Sequence, residues 1–234
     1  MKYAALLILT MFVSGCFSNS ISYRDGLVKE KVFAANHDAG VQLFSYDADG
    51  TRASVSGVVL SKKYGLVLSV AHGLDLGTVR AEVNQPPDAS FTKSLPAKLI
   101  AVDYANDIAV FYVDPAKANF GHEVKICMST GPFLESESVY LVSYPFGFMQ
   151  HIPSFGYVVG IFPRDVFGVK NHLAVSIWAQ RGSSGGALYL TKDHSLIGLT
   201  RIIITGDATY PTMLFIPPEN IREFLDKHNI PYNR

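Results

Sequence analysis

Gly182-Ser183-Ser184-Gly185-Gly186, followed at once by Ala187-Leu188-Tyr189-Leu190, is the stretch on which the reading of this chain turns. The pentapeptide sets a hydroxyl inside a glycine-rich turn that leaves backbone N-H groups available on either side. A serine hydroxyl is a weak nucleophile until a neighbouring base takes its proton, and an oxyanion formed by its attack needs donors fixed in advance. The four residues after the turn are apolar and end in Tyr189-Leu190, a short strand rather than the start of a helix. A Gly-x-Ser-x-Gly turn between a strand and a helix would instead indicate the nucleophile elbow of an α/β-hydrolase, which also needs its acid and then its histidine downstream. Only 50 residues lie downstream of Ser184, offering Asp193, Asp207, His194 and His228, so that alternative is disfavoured.

Working upstream, two residues complete a catalytic set. His72 follows Gly65-Leu66-Val67-Leu68-Ser69-Val70-Ala71, an apolar, β-branched run that reads as a buried strand presenting an imidazole at its end. Asp107 opens a second run, Ile108-Ala109-Val110-Phe111-Tyr112-Val113. A carboxylate beside so much apolar surface needs a partner, and the Nδ1-H of a histidine serves, because that bond fixes the tautomer and steadies the imidazolium. Each residue alone fits an ordinary structural part. The order His72, Asp107, Ser184, each at a strand edge, fits acyl transfer better.

Further candidate strands are Val41 to Tyr46, Ala53 to Leu60, Ala97 to Val102, Val139 to Val142, Gly156 to Phe162, Leu173 to Ile177, Leu196 to Ile204 and Met213 to Ile216. Asp47-Ala48-Asp49-Gly50 is a hairpin turn signal. Many short strands and few helical periods give an all-β chain, barrel or sandwich. Pro217 to Lys227 has prolines and an acid at its start and Ile221, Phe224 and Leu225 at helical spacing, which reads as a C-terminal helix.

Three blocks resemble the trypsin-fold serine peptidases of the HtrA (Deg) type: Ser56-Gly57-Val58-Val59-Leu60 through to His72, Val102 to Val110 around Asp107, and Gly182-Ser183-Ser184-Gly185-Gly186-Ala187. Tyr144-Pro145-Phe146-Gly147 and Leu214-Phe215-Ile216-Pro217 are weaker echoes. The likeness covers about residues 38 to 228. It implies two six-stranded antiparallel β-barrels and a C-terminal helix, with one barrel at 37–130, the other at 131–234, and the site in the cleft between them. It implies Ser184 as nucleophile, His72 as general base and then acid, Asp107 as orienting group, and the N-H groups of Gly182 and Ser184 as oxyanion hole. The implied activity is that of a serine endopeptidase acting on proteins or peptides. A catalytically silent trypsin-fold lipoprotein that binds or scaffolds is the alternative. Two departures stand out: Gly73 follows the histidine where the family usually has a β-branched residue, and Arg181 precedes Gly182 where proline is common. No PDZ-like segment follows the peptidase unit.

Around the nucleophile, Trp178, Ala179, Gln180, Thr200 and Arg201 are candidate pocket residues. Trp178 stands six positions before Ser184, where trypsin-like enzymes that cut after Lys or Arg carry an acid. The expectation is a small or apolar preference, with Arg201 leaving an acidic one open.

Composition agrees with a folded, exported protein. The 234 residues are 48% hydrophobic and 17% charged, with 20 basic and 20 acidic side chains and no basic stripe for nucleic acid. The seven histidines lack metal-ligand spacing, so neither a metal nor another cofactor is expected. Lys2 and the apolar run Ala4 to Val13 form an export signal over residues 1–15. Val13-Ser14-Gly15-Cys16 resembles a bacterial lipobox, which implies a lipidated Cys16, a membrane anchor at the cell envelope and a tether over 16–36. Without lipidation the product would be periplasmic or secreted. Cys127 then remains as a free thiol in an apolar context, a buried hydrophobe rather than a nucleophile.

Overall fold

The structure is a computed structural model describing residues 31–32, 34–83, 94–129, 133, 135–147, 151–163, 171–204 and 212–233. The expected export signal, Cys16 and most of the expected tether lie outside the described residues. Within the span expected as a tether, Lys31, Val32 and Ala34 are helical. The folded unit begins at Asn36, whose side-chain amide donates to the Tyr140 hydroxyl at 3.0 Å and to the His194 carbonyl at 2.8 Å.

Two closed six-stranded barrels follow. The first comprises β1 (Gly40–Tyr46), β2 (Arg52–Ser61), β3 (Leu66–Ser69), β4 (Arg80–Val83), β5 (Ser94–Asp103) and β6 (Ile108–Val113), in the spatial order β1-β2-β3-β6-β5-β4. The second comprises β7 (Ser138–Ser143), β8 (Ile152–Phe162), β9 (His172–Ser176), β10 (Ala187–Leu190), β11 (Leu196–Ile204) and β12 (Thr212–Ile216), in the order β10-β11-β12-β9-β8-β7. Every pairing between neighbouring strands of the barrels is antiparallel, and among the described residues each strand has a neighbour on both sides. The two-residue period of a strand fills each interior. On β5, Leu95 and Ala97 are buried while Pro96 and Lys98 face out, and on β8 Ser154, Gly156 and Val158 alternate with exposed Tyr157 and Val159.

The second barrel is filled by Leu141, Val158, Leu173, Val175, Leu188, Ile197, Met213 and Phe215. Cys127 is buried with them, as its apolar context implied. α1 (Pro218–Lys227) starts with a proline and buries Ile221, Phe224 and Leu225 while Glu223, Asp226 and Lys227 face solvent. Its Arg222 reaches the Cys127 carbonyl, which ties the helix to the connection between the barrels.

β4 is the one strand that the apolar pattern does not announce. Two of its four residues, Arg80 and Glu82, are charged, yet it closes the first barrel between β1 and β5. The charges are answered locally, Arg80 Nε by Ser94 Oγ at 2.9 Å and Glu82 by Arg52 at 3.3 Å.

Phe215 is fully buried on β12. Phe215→Ala is expected to cost about 3–5 kcal/mol, read as a lower urea midpoint at unchanged slope; a loss under about 1 kcal/mol would mean that the barrel repacks around the missing ring.

Candidate active site

The chain leaves β3 through buried Val70 and Ala71 and turns at His72, whose side chain stands half-exposed in the cleft. Asp107 ends the turn that joins β5 to β6, and its φ of 61° lies in the left-handed region, which aspartate enters more readily than most residues. That conformation presents both carboxylate oxygens inward. Oδ1 accepts from the backbone N-H of Ala71 at 3.1 Å and of His72 at 2.9 Å. Oδ2 lies 2.6 Å from His72 Nδ1, and His72 Nε2 lies 3.0 Å from Ser184 Oγ. Three residues 35 and 112 positions apart along the chain are thus joined in one line of hydrogen bonds. Burial pushes the Asp107 carboxyl up, but the His72 hydrogen bond, the His72 charge, the His72 N-H and the Arg201 charge together hold it below the usual carboxylate range. An ionised Asp107 accepts from Nδ1-H, which leaves a neutral Nε2 able to take the Ser184 proton.

The glycines of the serine loop close two successive turns. Ser183 N-H donates to the Gln180 carbonyl at 2.9 Å with Gly182 at φ 89°, and Gly186 N-H donates to the Ser183 carbonyl at 2.8 Å with Gly185 at φ 77°. Positive φ at the third position of a turn is a glycine conformation. Space demands it too, since a Cβ on Gly185 would lie 2.1 Å from the Ser56 carbonyl oxygen. The Arg181 carbonyl accepts from Phe146 N-H at 2.5 Å, and across a trans peptide this turns the Gly182 N-H the opposite way. Among the described residues neither Gly182 N-H nor Ser184 N-H has an intramolecular acceptor. Arg181 in place of proline therefore does not draw its carbonyl toward Ser184.

Ser56 on β2 joins the barrels behind the loop. Its hydroxyl donates to the Gly182 carbonyl at 2.8 Å and accepts from Tyr144 N-H at 2.8 Å, while its own N-H donates to the Ser184 carbonyl at 2.7 Å. Sequence reasoning gave Ser56 no role, and as one of several polar residues on β2, with Arg52, Ser54 and Ser61, it carried no signal of its own.

A cavity of about 500 Å³ opens beside His72 and Asp107, and Leu74, Tyr104 and Arg201 line it. Of the five expected pocket residues, Arg201 alone lies there. Ala179 is packed into the second barrel's core, Thr200 donates its hydroxyl to the Gly186 carbonyl at 3.1 Å, Trp178 is exposed and Gln180 closes the first glycine turn. Arg201 binds Asp107 Oδ2 through Nε at 3.1 Å and His172 Nε2 through Nη1 at 2.9 Å. Among the described residues no cluster of His, Cys, Asp and Glu could hold a metal ion.

The family model for the trypsin-like peptidase domain matches residues 55–199. Solved structures with the same fold include an HtrA-type protease with a tripeptide, 18% identical at TM-score 0.69, covering 86% of this chain and 63% of that one. The serine endoprotease from Yersinia pestis is 18% identical at TM-score 0.68, covering 86% and 66%. The active form of the Rv3671c protease from M. tuberculosis is 18% identical at TM-score 0.70, covering 89% and 88%. This chain therefore spans less than two thirds of the first two proteins and most of the third. No curated protein matches. At such identities the likeness extends to the fold.

Because folding lowers the Asp107 carboxyl below its unfolded value near 3.9, its ionic contacts stabilise the folded chain above that pH and are lost as the pH falls through the lower folded value. Asp107→Asn should therefore lower the urea midpoint most at neutral pH, with the two proteins converging below about pH 4. An equal gap at pH 3 and pH 7 would contradict this.

Proposed function

We propose that this chain, which belongs to the trypsin-like peptidase domain family, is a serine endopeptidase that cleaves protein or peptide substrates through an acyl-enzyme. The observation that carries the reading is the unbroken line from Ser184 Oγ through His72 to Asp107, at 3.0 and 2.6 Å. In this mechanism Ser184 Oγ attacks the scissile carbonyl carbon while its proton passes to His72 Nε2. Asp107 accepts from Nδ1-H and steadies the imidazolium. The N-H groups of Gly182 and Ser184 receive the oxyanion, and their fixed direction means that little reorganisation is needed as charge develops. Collapse of the tetrahedral species breaks the C-N bond, and His72 returns its proton to the leaving amine. Water then attacks the ester with His72 again as base, regenerating the Ser184 hydroxyl.

A fluorophosphonate probe tests the nucleophile directly. The wild type should be labelled and should cleave a peptide library, whereas Ser184→Ala should do neither. His72→Ala should lose most of the rate, the double variant little more, and Asp107→Asn about 10⁴-fold with the fold retained. Correctly folded wild type that never labels would point to a silent binding module. Strictly additive losses would also count against a shared mechanism.

We also propose that Cys16 is lipidated and holds the peptidase at a membrane of the bacterial envelope. Support comes from Lys2, the apolar run Ala4 to Val13 and the small residues before Cys16. Acyl chains contribute about 0.8 kcal/mol per buried methylene, so several chains anchor stably. Among the described residues no helix is long and apolar enough to cross a membrane. Expressed in a bacterium with its own leader, the wild type should sediment with membranes and incorporate labelled fatty acid, while Cys16→Ala should do neither; equal partition of the two would remove the anchor.

A further inference from the structure

We infer that Arg201 is a positioning residue that clamps Asp107 from the second barrel and offsets its negative charge, so that His72 works against a carboxylate-guanidinium pair rather than a lone carboxylate. The inference deepens the reading of this site as a Ser-His-Asp relay and rests on it.

The backbone is arranged to deliver this side chain. β11 pairs with β12 in one register up to Thr200 and in another from Ile202, so Arg201 is the extra residue of a bulge. Such a bulge re-aims a side chain that a regular strand would direct elsewhere. The guanidinium and carboxylate are both buried, with 5% and 8% of their side-chain surface exposed. A charge so placed is costly without a partner, and Arg201 finds it in Asp107 across the boundary between the barrels. On the far side its Nη1-H donates to His172 Nε2, so that imidazole accepts there and carries its proton on Nδ1.

Arg201 Nε and His72 Nδ1 share one acceptor, Asp107 Oδ2. The two nitrogens therefore lie within about 6 Å of each other, close enough for a permanent cation to oppose the protonated imidazole strongly. The groups that bear on His72 are Asp107 on the turn before β6, Arg201 on β11, His172 behind it on β9 and the Tyr104 phenol on the cavity wall. Asp103 on β5 is turned to Asn106 instead. Arginine fits this position because its planar fork can hold the carboxylate and the imidazole at once while its charge persists at any working pH.

The test is an NMR titration of the His72 imidazole in the wild type, Arg201→Gln and Arg201→Lys, run beside the pH dependence of fluorophosphonate labelling. Removing the cation leaves Asp107 unopposed and favours the imidazolium, so Arg201→Gln should raise the His72 midpoint by about one pH unit. The acid limb of labelling should follow, about ten-fold slower than wild type below both midpoints. Arg201→Lys keeps the charge and loses the fork, and its midpoint should stay within about 0.3 units of wild type. A folded Arg201→Gln with an unmoved midpoint would overturn the inference, as would an Arg201→Lys midpoint displaced by a full unit. If the Gln variant does not fold, the Lys midpoint decides. A midpoint that responds as expected in a protein whose Ser184 never labels would uphold the clamp and overturn the peptidase reading.

Discussion

One buried carboxylate sets the terms for this molecule. Asp107 sits at the seam of two barrels with 5% of its surface exposed, and an ion in that position must be surrounded by donors. The first barrel supplies two backbone N-H groups and an imidazole from a single stretch, Ala71 and His72, and the second supplies a guanidinium from a bulge. Satisfying the charge fixes several degrees of freedom together: the entry into β6, the exit from β3, the tilt of the His72 ring and the approach of β11. The left-handed backbone of Asp107 is the local cost of this arrangement, and the four contacts over-determine it.

A second set of bonds makes the serine loop a continuation of the same seam. Ser56 uses its hydroxyl, its amide and its carbonyl at once, and Ser69 Oγ completes the set by donating to that carbonyl at 2.6 Å. Glycine at 182 and 185 lets the loop lie against Tyr144 and Ser56 without a side chain in the way. Ser184 thus receives its position from the first barrel although its loop belongs to the second. N-H groups on a loop held by such contacts have their direction set before any ligand arrives.

Strand after strand was legible because apolar, β-branched runs broken by turn residues are what a closed barrel requires. β6 and β10 coincide with their apolar runs, and the hairpin at Asp47 to Gly50 falls where its turn signal stands. The three residues of the relay were legible from their strand-end contexts and order. β4 was not, because half of it is charged and its pairing is decided by the strands on either side. Arg201 was placed near the site, but its bond to Asp107 was not legible, since a bulge reverses the face on which a side chain emerges and no local pattern marks it. Leu74, Tyr104 and His172 were missed altogether: each is an ordinary residue in its own neighbourhood and gains meaning only when distant segments meet.

The seam between the barrels has a consequence for the newly made chain. His72 and Asp107 lie on one half of the molecule and Ser184 on the other, and the N-terminal half emerges first. Domains tend to fold as units, so early intermediates carry one completed half at most. Such a species lacks either the Ser184 hydroxyl or the imidazole that it bonds to. Under the peptidase reading proposed above, splitting the three residues between halves would delay cleavage until both have docked, sparing the nascent chain from digestion while its backbone is still exposed.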